Sequence, residues 1–217
     1  MTWYLGDLIP YMPLLLQGLW ISIYISVLSF VFGSVLGLFA YLAKASRWRV
    51  LRGISGAYIE VVRNVPLLVV LYLIYFGLTQ FGVNLDPLWS TLIALTINNG
   101  AYVAEILRAG FEAVPKGLRE AAHALGMNSA QTFRYAILVP GIRNVFPAMT
   151  NQFILLFLFS SVASVIALPE LTNQLLRVNS ETLRTFEVFT VGALLYYVVS
   201  SVLAIGSRLG EKRLFRW

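Results

Sequence analysis

Apolar residues run in long blocks along the chain, and polar residues gather between them. Five blocks are long enough for a bilayer helix, which needs about 20 residues. They cover roughly 14–43, 55–80, 88–110, 145–168 and 188–209. The second carries Glu60 and Arg63 early and continues through Pro66, and a turn-like stretch at Phe81–Pro87 separates it from the third. Polar segments at Phe111–Arg143 and Pro169–Glu187 flank the fourth. Backbone groups in hydrocarbon must bond internally, so runs this long and uniform predict helices rather than barrel strands, which alternate over about 10 residues. The expectation is an all-α integral membrane protein of five transmembrane helices in a single domain, 1–217.

Composition supports that pattern. Of 217 residues, 59% are hydrophobic and 12% charged, against about 25% charged in an ordinary soluble domain. The mean hydropathy is +0.77. The net charge of +6 would suggest nucleic acid in a soluble protein, but here the basic residues border apolar blocks. Lys44, Arg47, Arg49 and Arg52 follow the first block. Arg108, Lys116, Arg119, Arg134 and Arg143 mark the first polar segment, and Arg208, Lys212, Arg213 and Arg216 the C-terminal end. With five spans these three regions share one side, leaving Arg177 and Arg184 on the other. That asymmetry predicts an outside N-terminus and a cytoplasmic C-terminus. Trp3, Tyr4, Trp20, Trp48, Trp89 and Trp217 fall near span ends, as interfacial anchors do. The N-terminus has no basic n-region and its apolar run is too long for a cleavable signal peptide. There is no cysteine, hence no disulfide framework or thiolate site. His123 reads as a surface residue, and no metal cluster is evident.

The first polar segment is the most informative. Pro115 followed by Ala-rich sequence favours a helix that Gly126 ends, and Asn128 with Gln131 forms a capping-box pattern for a second short helix through about Tyr135. Ala121 and Ala122 leave that surface thin, while Arg119 and Glu120 offer charges to a partner; an ordinary solvated connector is the alternative. Glu60, Arg63, Glu105 and Arg108 lie within or beside spans, where charge costs about 2.5–3.5 kcal/mol on insertion scales. All four fall at similar depth. Structural pairs are expected, Glu60 with Arg63 and Arg63 with Glu105, the alternative being a gate or substrate contact. Asn98, Asn99, Tyr102, Thr150, Asn151, Gln152, Ser160, Ser161 and Ser164 are polar groups in apolar surroundings. They serve either helix packing or a translocation path.

Glu120-Ala121-Ala122, Gly126, Ile137-Leu138 and Pro140 resemble the EAA loop of binding-protein-dependent ABC importers, with the proline one residue late because Val139 intervenes. The run from Tyr58 through Glu60, Arg63, Asn64 and Pro66 to Leu68 is similar to the start of the second helix of their polar amino-acid permeases. The run from Ala101 through Tyr102, Glu105 and Arg108 to Gly117 is similar to the end of the third. The resemblance covers roughly residues 14–215 and implies a type I ABC importer permease fold in the bacterial inner membrane. It further implies a second permease chain, identical or homologous, two cytoplasmic ATPase subunits holding ATP and Mg, and an extracytoplasmic solute-binding protein. In that frame Arg119, Glu120, Ala121, Ala122 and Gly126 couple to the ATPase. Many relatives carry Lys with Asp or Asn before the paired serines, where this chain has Leu158-Phe159. Asn64 leans the substrate toward acidic amino acids or their amides.

The chain has no G-x-x-x-x-G-K-[ST] loop, so ATP hydrolysis is assigned to a partner and this subunit is non-catalytic. A stand-alone secondary transporter or channel is the alternative, though no internal repeat is evident. An intramembrane enzyme would need a base in a span, and Ser160 and Ser161 have no span histidine to serve.

Overall fold

The structure is a computed structural model that describes Leu5–Leu214; Trp3, Tyr4, Arg216 and Trp217 lie outside the described residues. The described residues are helical, without a strand. A 3₁₀ turn, Leu5–Tyr11, leads into α1 (Met12–Lys44). There follow α2 (Arg49–Asn64), α3 (Leu67–Tyr72), α4 (Pro87–Glu112), α5 (Lys116–Ala124), α6 (Ser129–Gln131), α7 (Leu138–Phe159), α8 (Leu171–Thr182) and α9 (Thr185–Leu214).

Small side chains explain how α1 packs. Its buried positions include Gly18, Ser22, Ser26, Ser29, Gly33, Gly37 and Ala40, a stripe three or four residues apart. A Cβ on Gly33 would meet the Asn99 side chain at 2.6 Å, and one on Gly37 would meet the Gly100 carbonyl oxygen at 2.7 Å. Where lipid removes the hydrophobic drive between helices, such close backbone approach supplies the packing. α1 and α4 therefore form the central pair, and α7 closes on α4 where Phe111 faces Gly141 and Val145 faces Gly110.

Three helical stretches are long and apolar enough to cross a membrane: Gly6–Lys44, Ser129–Ile166 and Thr185–Arg213. The second expected span is not one straight helix. It breaks at Val65-Pro66, and α2 meets the following helix at 109°. Val65 is extended (φ −104°, ψ 130°), as proline demands of the residue before it. Counted as one span, the bent pair brings the total to four. The third expected span, α4, does not meet that standard of length and apolarity. It is the central helix, buried by its neighbours along Ser90–Ala104, so polar side chains can turn into the protein rather than into lipid.

The fourth span starts earlier than its apolar block. Helix begins at Ser129 and runs through a π-helical stretch, Thr132–Ile137, into α7. That stretch ends at Ile137, within one turn of Pro140, which has no N–H to bond four residues back to Ala136; a wider turn accommodates the loss. The late proline thus sits inside a continuous helix.

Pro169–Glu187, expected as a polar connector, contains α8. Leu171, Leu175 and Val178 pack with Leu8, Leu15 and Val188 in one buried cluster. Gly18 and Gly192 let α8 close on α1 and α9: a Cβ on Gly18 would meet Leu171 Cα at 3.0 Å, and one on Gly192 would meet Leu175 Cδ1 at 2.2 Å. α9 is the least covered helix of the crossing set, with Leu194, Tyr197, Val198, Val202, Ile205 and Leu209 all exposed. Trp20, Trp48 and Trp89 are likewise exposed, as interfacial anchors should be.

Candidate functional site

The helix α5 stands at the end of the molecule where α1 and α4 finish. Tyr41, Phe111, Val114, Pro115, Lys116, Arg119 and Ile137 line one cavity of about 270 Å³ there. Pro115 precedes the helix, where its fixed φ suits a helix start. Gly126 (φ +76°) ends it in the left-handed region, with Gly126 N–H donating to the His123 carbonyl and Met127 N–H to that of Ala122. The Asn128–Gln131 capping box forms in both directions, at 2.9 and 3.0 Å. Ala122 is buried on a helix that packs against Thr132–Ile137, while Arg119, Glu120, Ala121 and Gly126 are exposed. Four of the five expected coupling residues are thus exposed, on α5 and the turn that ends it, and Ala122 faces inward.

Of the charges expected within or beside spans, Arg63 and Arg108 converge on Glu105. Arg108 grips it with Nη2 at 2.5 Å and Nε at 3.1 Å. Arg63 of α2 approaches at 3.7 Å and Lys44 of α1 at 3.9 Å. The cross-helix Arg63–Glu105 pair therefore forms. The expected Glu60–Arg63 pair does not: Glu60 points outward, and its carbonyl, not its carboxylate, is engaged, accepting from Asn64 Nδ2 at 2.7 Å. Arg63 instead lies over the Tyr102 ring, 5.6 Å from its centre, and Arg108 reaches on to Glu112. Lys44 and Glu112 were missed as members of the network; each sits at a helix end, where sequence reads a charge as solvated. Arg63, Tyr102, Glu105, Gly110, Asn144 and Ala148 line a cavity of about 320 Å³. One cation, one anion and an aromatic face in a single cleft can meet both ends of a zwitterion.

The remaining polar candidates divide. Asn99 is fully buried, donating to the Phe30 carbonyl at 3.3 Å and accepting from Gln152 Nε2 at 3.1 Å, so this pair ties α1, α4 and α7 together. Asn98 is also buried, with an oxygen that has no partner among the described residues. Ser160 and Ser161 spend their hydroxyls on the carbonyls of Phe157 and Leu158, and Ser164 offers its carbonyl to Asn173. Asn151 is exposed, and Thr150 bonds Ser207 of α9 at 2.6 Å. These groups do not form one site: only Tyr102 joins the charge cavity.

Sequence reasoning also missed Glu170, fully buried at the N-terminus of α8. Its carboxylate accepts from Thr172 and Asn173 N–H at 2.9 and 2.8 Å, from Tyr196 OH at 3.2 Å and from Ser22 Oγ at 3.3 Å. The signal was present: Leu171, Leu175 and Val178 repeat at helical spacing directly after an acidic residue.

Comparison with known proteins settles the family. The model for "Binding-protein-dependent transport system inner membrane component" matches residues 33–216. The chain belongs to that family. It is an amino-acid ABC transporter permease subunit. The arginine transport system permease protein ArtQ of Bacillus subtilis is 35% identical, over 95% of this chain and 94% of its own. The glutamine transport system permease protein GlnP of Escherichia coli K12 is 34% identical, over 94% of each. A crystal structure of an amino acid ABC transporter with histidines superimposes with a TM-score of 0.94 at 40% identity, covering 98% of this permease and 100% of that chain. A methionine ABC transporter, MetNI, shares the fold at a TM-score of 0.72 and 19% identity, over 94% of this permease and 98% of that chain. The family is of non-catalytic, multi-pass membrane subunits, and it implies ATPase and solute-binding partners and a second permease.

Proposed function

We propose that this permease pairs with a second permease chain, identical or homologous, to carry a polar amino acid across the bacterial inner membrane. Two cytoplasmic ATPases drive it through α5, and an extracytoplasmic solute-binding protein delivers the substrate. The observation that carries this reading is α5 itself: a helix with an alanine surface, closed by a positive-φ glycine, and left exposed by the rest of the chain. A protein that had no partner would gain nothing by presenting it. ATP and Mg belong to the partner.

The reading includes five crossings, made by α1, the bent pair from α2 to Phe81, α4, the stretch from α6 through α7, and α9, with the N-terminus outside. Thirteen of the sixteen Lys and Arg residues then fall in the cytoplasmic regions. Arg63, Tyr102 and Glu105 line the cytoplasmic part of the path, as substrate contact or gate. Relatives named for arginine, cystine and glutamine transport support a polar amino acid as the substrate. Within it, Asn64 favours acidic amino acids or their amides.

Uptake of radiolabelled amino acids by cells producing the whole transporter tests the reading. Gly126→Val should abolish ATP-dependent uptake, because a β-branched residue at φ +76° strains the turn. Undiminished uptake would remove α5 from the coupling role. Competition by unlabelled glutamine and glutamate, against arginine, decides the side-chain preference.

A further inference from the structure

α2 presents three different sides. One is packed: Ser55 Oγ donates to the Ala40 carbonyl at 2.6 Å, and Ile59 is buried with Ala40 and Ala104. The second is apolar and bare. Val50, Ile54, Ala57 and Val61, spaced i, i+4, i+7 and i+11, fall on one face, and Val50 and Ile54 are 72% and 65% exposed. The third is a polar edge that begins with Arg49 and Arg52 and passes over Gly53 and Gly56. The turn before α2 adds Arg47 and an exposed Trp48.

The basic charge at this end of α2 has no paired acid, and exposed Glu60 stands at the far end of the same edge. Residues 8–59 contain no Asp or Glu. Arg47, Arg49 and Arg52 have no carboxylate within 4 Å among the described residues. Lys44, by contrast, is held by Glu105. The bend of 109° turns α2 away from the direction of crossing, across the ends of α1 and α4, on the same side as α5. An apolar face joined to a basic edge, lying along the end of the bundle, has the form of a helix seated in a bilayer interface.

We propose that α2 and the turn before it are a binding surface for anionic phospholipid. Val50, Ile54 and Val61 lie among acyl chains, Trp48 sits at headgroup level, and Arg47, Arg49 and Arg52 hold the phosphates of lipids in the leaflet on the α5 side. Charge decides the occupant. A second copy seated here about a two-fold axis through the arginines would bring them toward their own counterparts, with the nearest acid of α2, exposed Glu60, about two turns away from Arg52. Anionic headgroups supply the missing charge. The basic residues at the end of α9 differ, since Glu211 stands among Arg208, Lys212 and Arg213.

The test uses the full chain co-purified with its ATPase, placed in nanodiscs of phosphatidylcholine mixed with phosphatidylglycerol. Native mass spectrometry then counts the phospholipids retained. The intact protein should retain phosphatidylglycerol in excess. That preference should fall roughly fivefold per arginine removed, and on the order of a hundredfold for Arg47→Gln, Arg49→Gln and Arg52→Gln together. Neutralising Arg208, Lys212 and Arg213 should leave it nearly intact. An equal loss in both variants, or none in the first, overturns the proposal. A second measurement keeps all the arginines. With no native cysteine, Val50→Cys and Gly53→Cys each carry a single nitroxide, and an added Cβ at Gly53 meets nothing within 4 Å. The label at 50 should be relaxed by oxygen dissolved in the bilayer, and the label at 53 by a water-soluble nickel chelate. Equal exposure of both to the chelate, or spin exchange from direct contact of labels at 50 in two copies, overturns the lipid assignment.

Discussion

Two carboxylates inside this permease are held in opposite ways. Glu105 stands among Lys44, Arg63 and Arg108, on a side chain that remains 21% exposed and borders a cavity. Glu170 is sealed, with no cation among its bonded partners; two backbone N–H groups and two hydroxyls surround it. Where water reaches, counter-ions can be exchanged for solvent at small cost, and the arrangement can change. Where it does not, every lone pair must be met by a fixed donor, and the donors come from three elements: Ser22 on α1, the first turn of α8 and Tyr196 on α9. The first cluster suits a path; the second suits a joint.

Substitutions can break that contrast, and they are taken in order of expected effect. Glu170→Ala removes the acceptor shared by α1, α8 and α9 and should cost about 2–3 kcal/mol, the penalty of orphaned buried donors plus a lost helix cap. Thermal unfolding of the detergent-purified transporter measures it, and a loss no greater than that of Glu105→Ala would erase the distinction. Gly18→Val drives a side chain into Leu171 and Gln174, where even a Cβ would lie 2.8 Å from Gln174 Cγ. It should destabilise by about 1–3 kcal/mol through overpacking, and Gly18→Ala by less. Glu105→Gln should change stability by about 1 kcal/mol or less, since its partners are partly solvated, yet it should depress uptake strongly. A thermal shift as large as that of Glu170→Ala, with normal uptake, would reverse the roles assigned here. Smallest is the coupling of Arg63 with Glu105, about 0.2–1 kcal/mol in a double-mutant cycle. An Arg63→Glu, Glu105→Arg swap that restores nothing lost by the single variants would show that Arg63 acts through Tyr102 instead.

Much of this was legible beforehand, for reasons particular residues make plain. Gly126 demanded a helix end because a positive φ is costly for other residues, and Asn128 with Gln131 demanded a helix start. Both stand where the pattern put them. Arg63 and Glu105 could be paired in advance because two adjacent antiparallel spans place them at one depth. Glu60 could not be excluded from that pair, since i, i+3 spacing permits a contact that the rotation of α2 then turns outward. Lys44 reads as a loop-edge cation until α4 is seen beside it. α8 was overlooked because its polar residues hide a short apolar repeat between two much longer apolar blocks. Glu170 was overlooked with it, as its two hydroxyl donors lie 148 and 26 residues away, on Ser22 and Tyr196.

The sequence by itself determined that the chain is helical and membrane-embedded, that a short helix ended by Gly126 lies in the first polar segment, and which family it joins. Those properties are local: apolar length, charge beside apolar blocks, and capping residues act within a few turns of helix. Tertiary structure alone decided that α4 lies central because Gly33 and Gly37 admit it, and which charges surround Glu105. It also placed a buried carboxylate at the joint of α1, α8 and α9. Each of these depends on which helix faces lie against one another, and close backbone packing between helices, not the periodicity of any one of them, sets that.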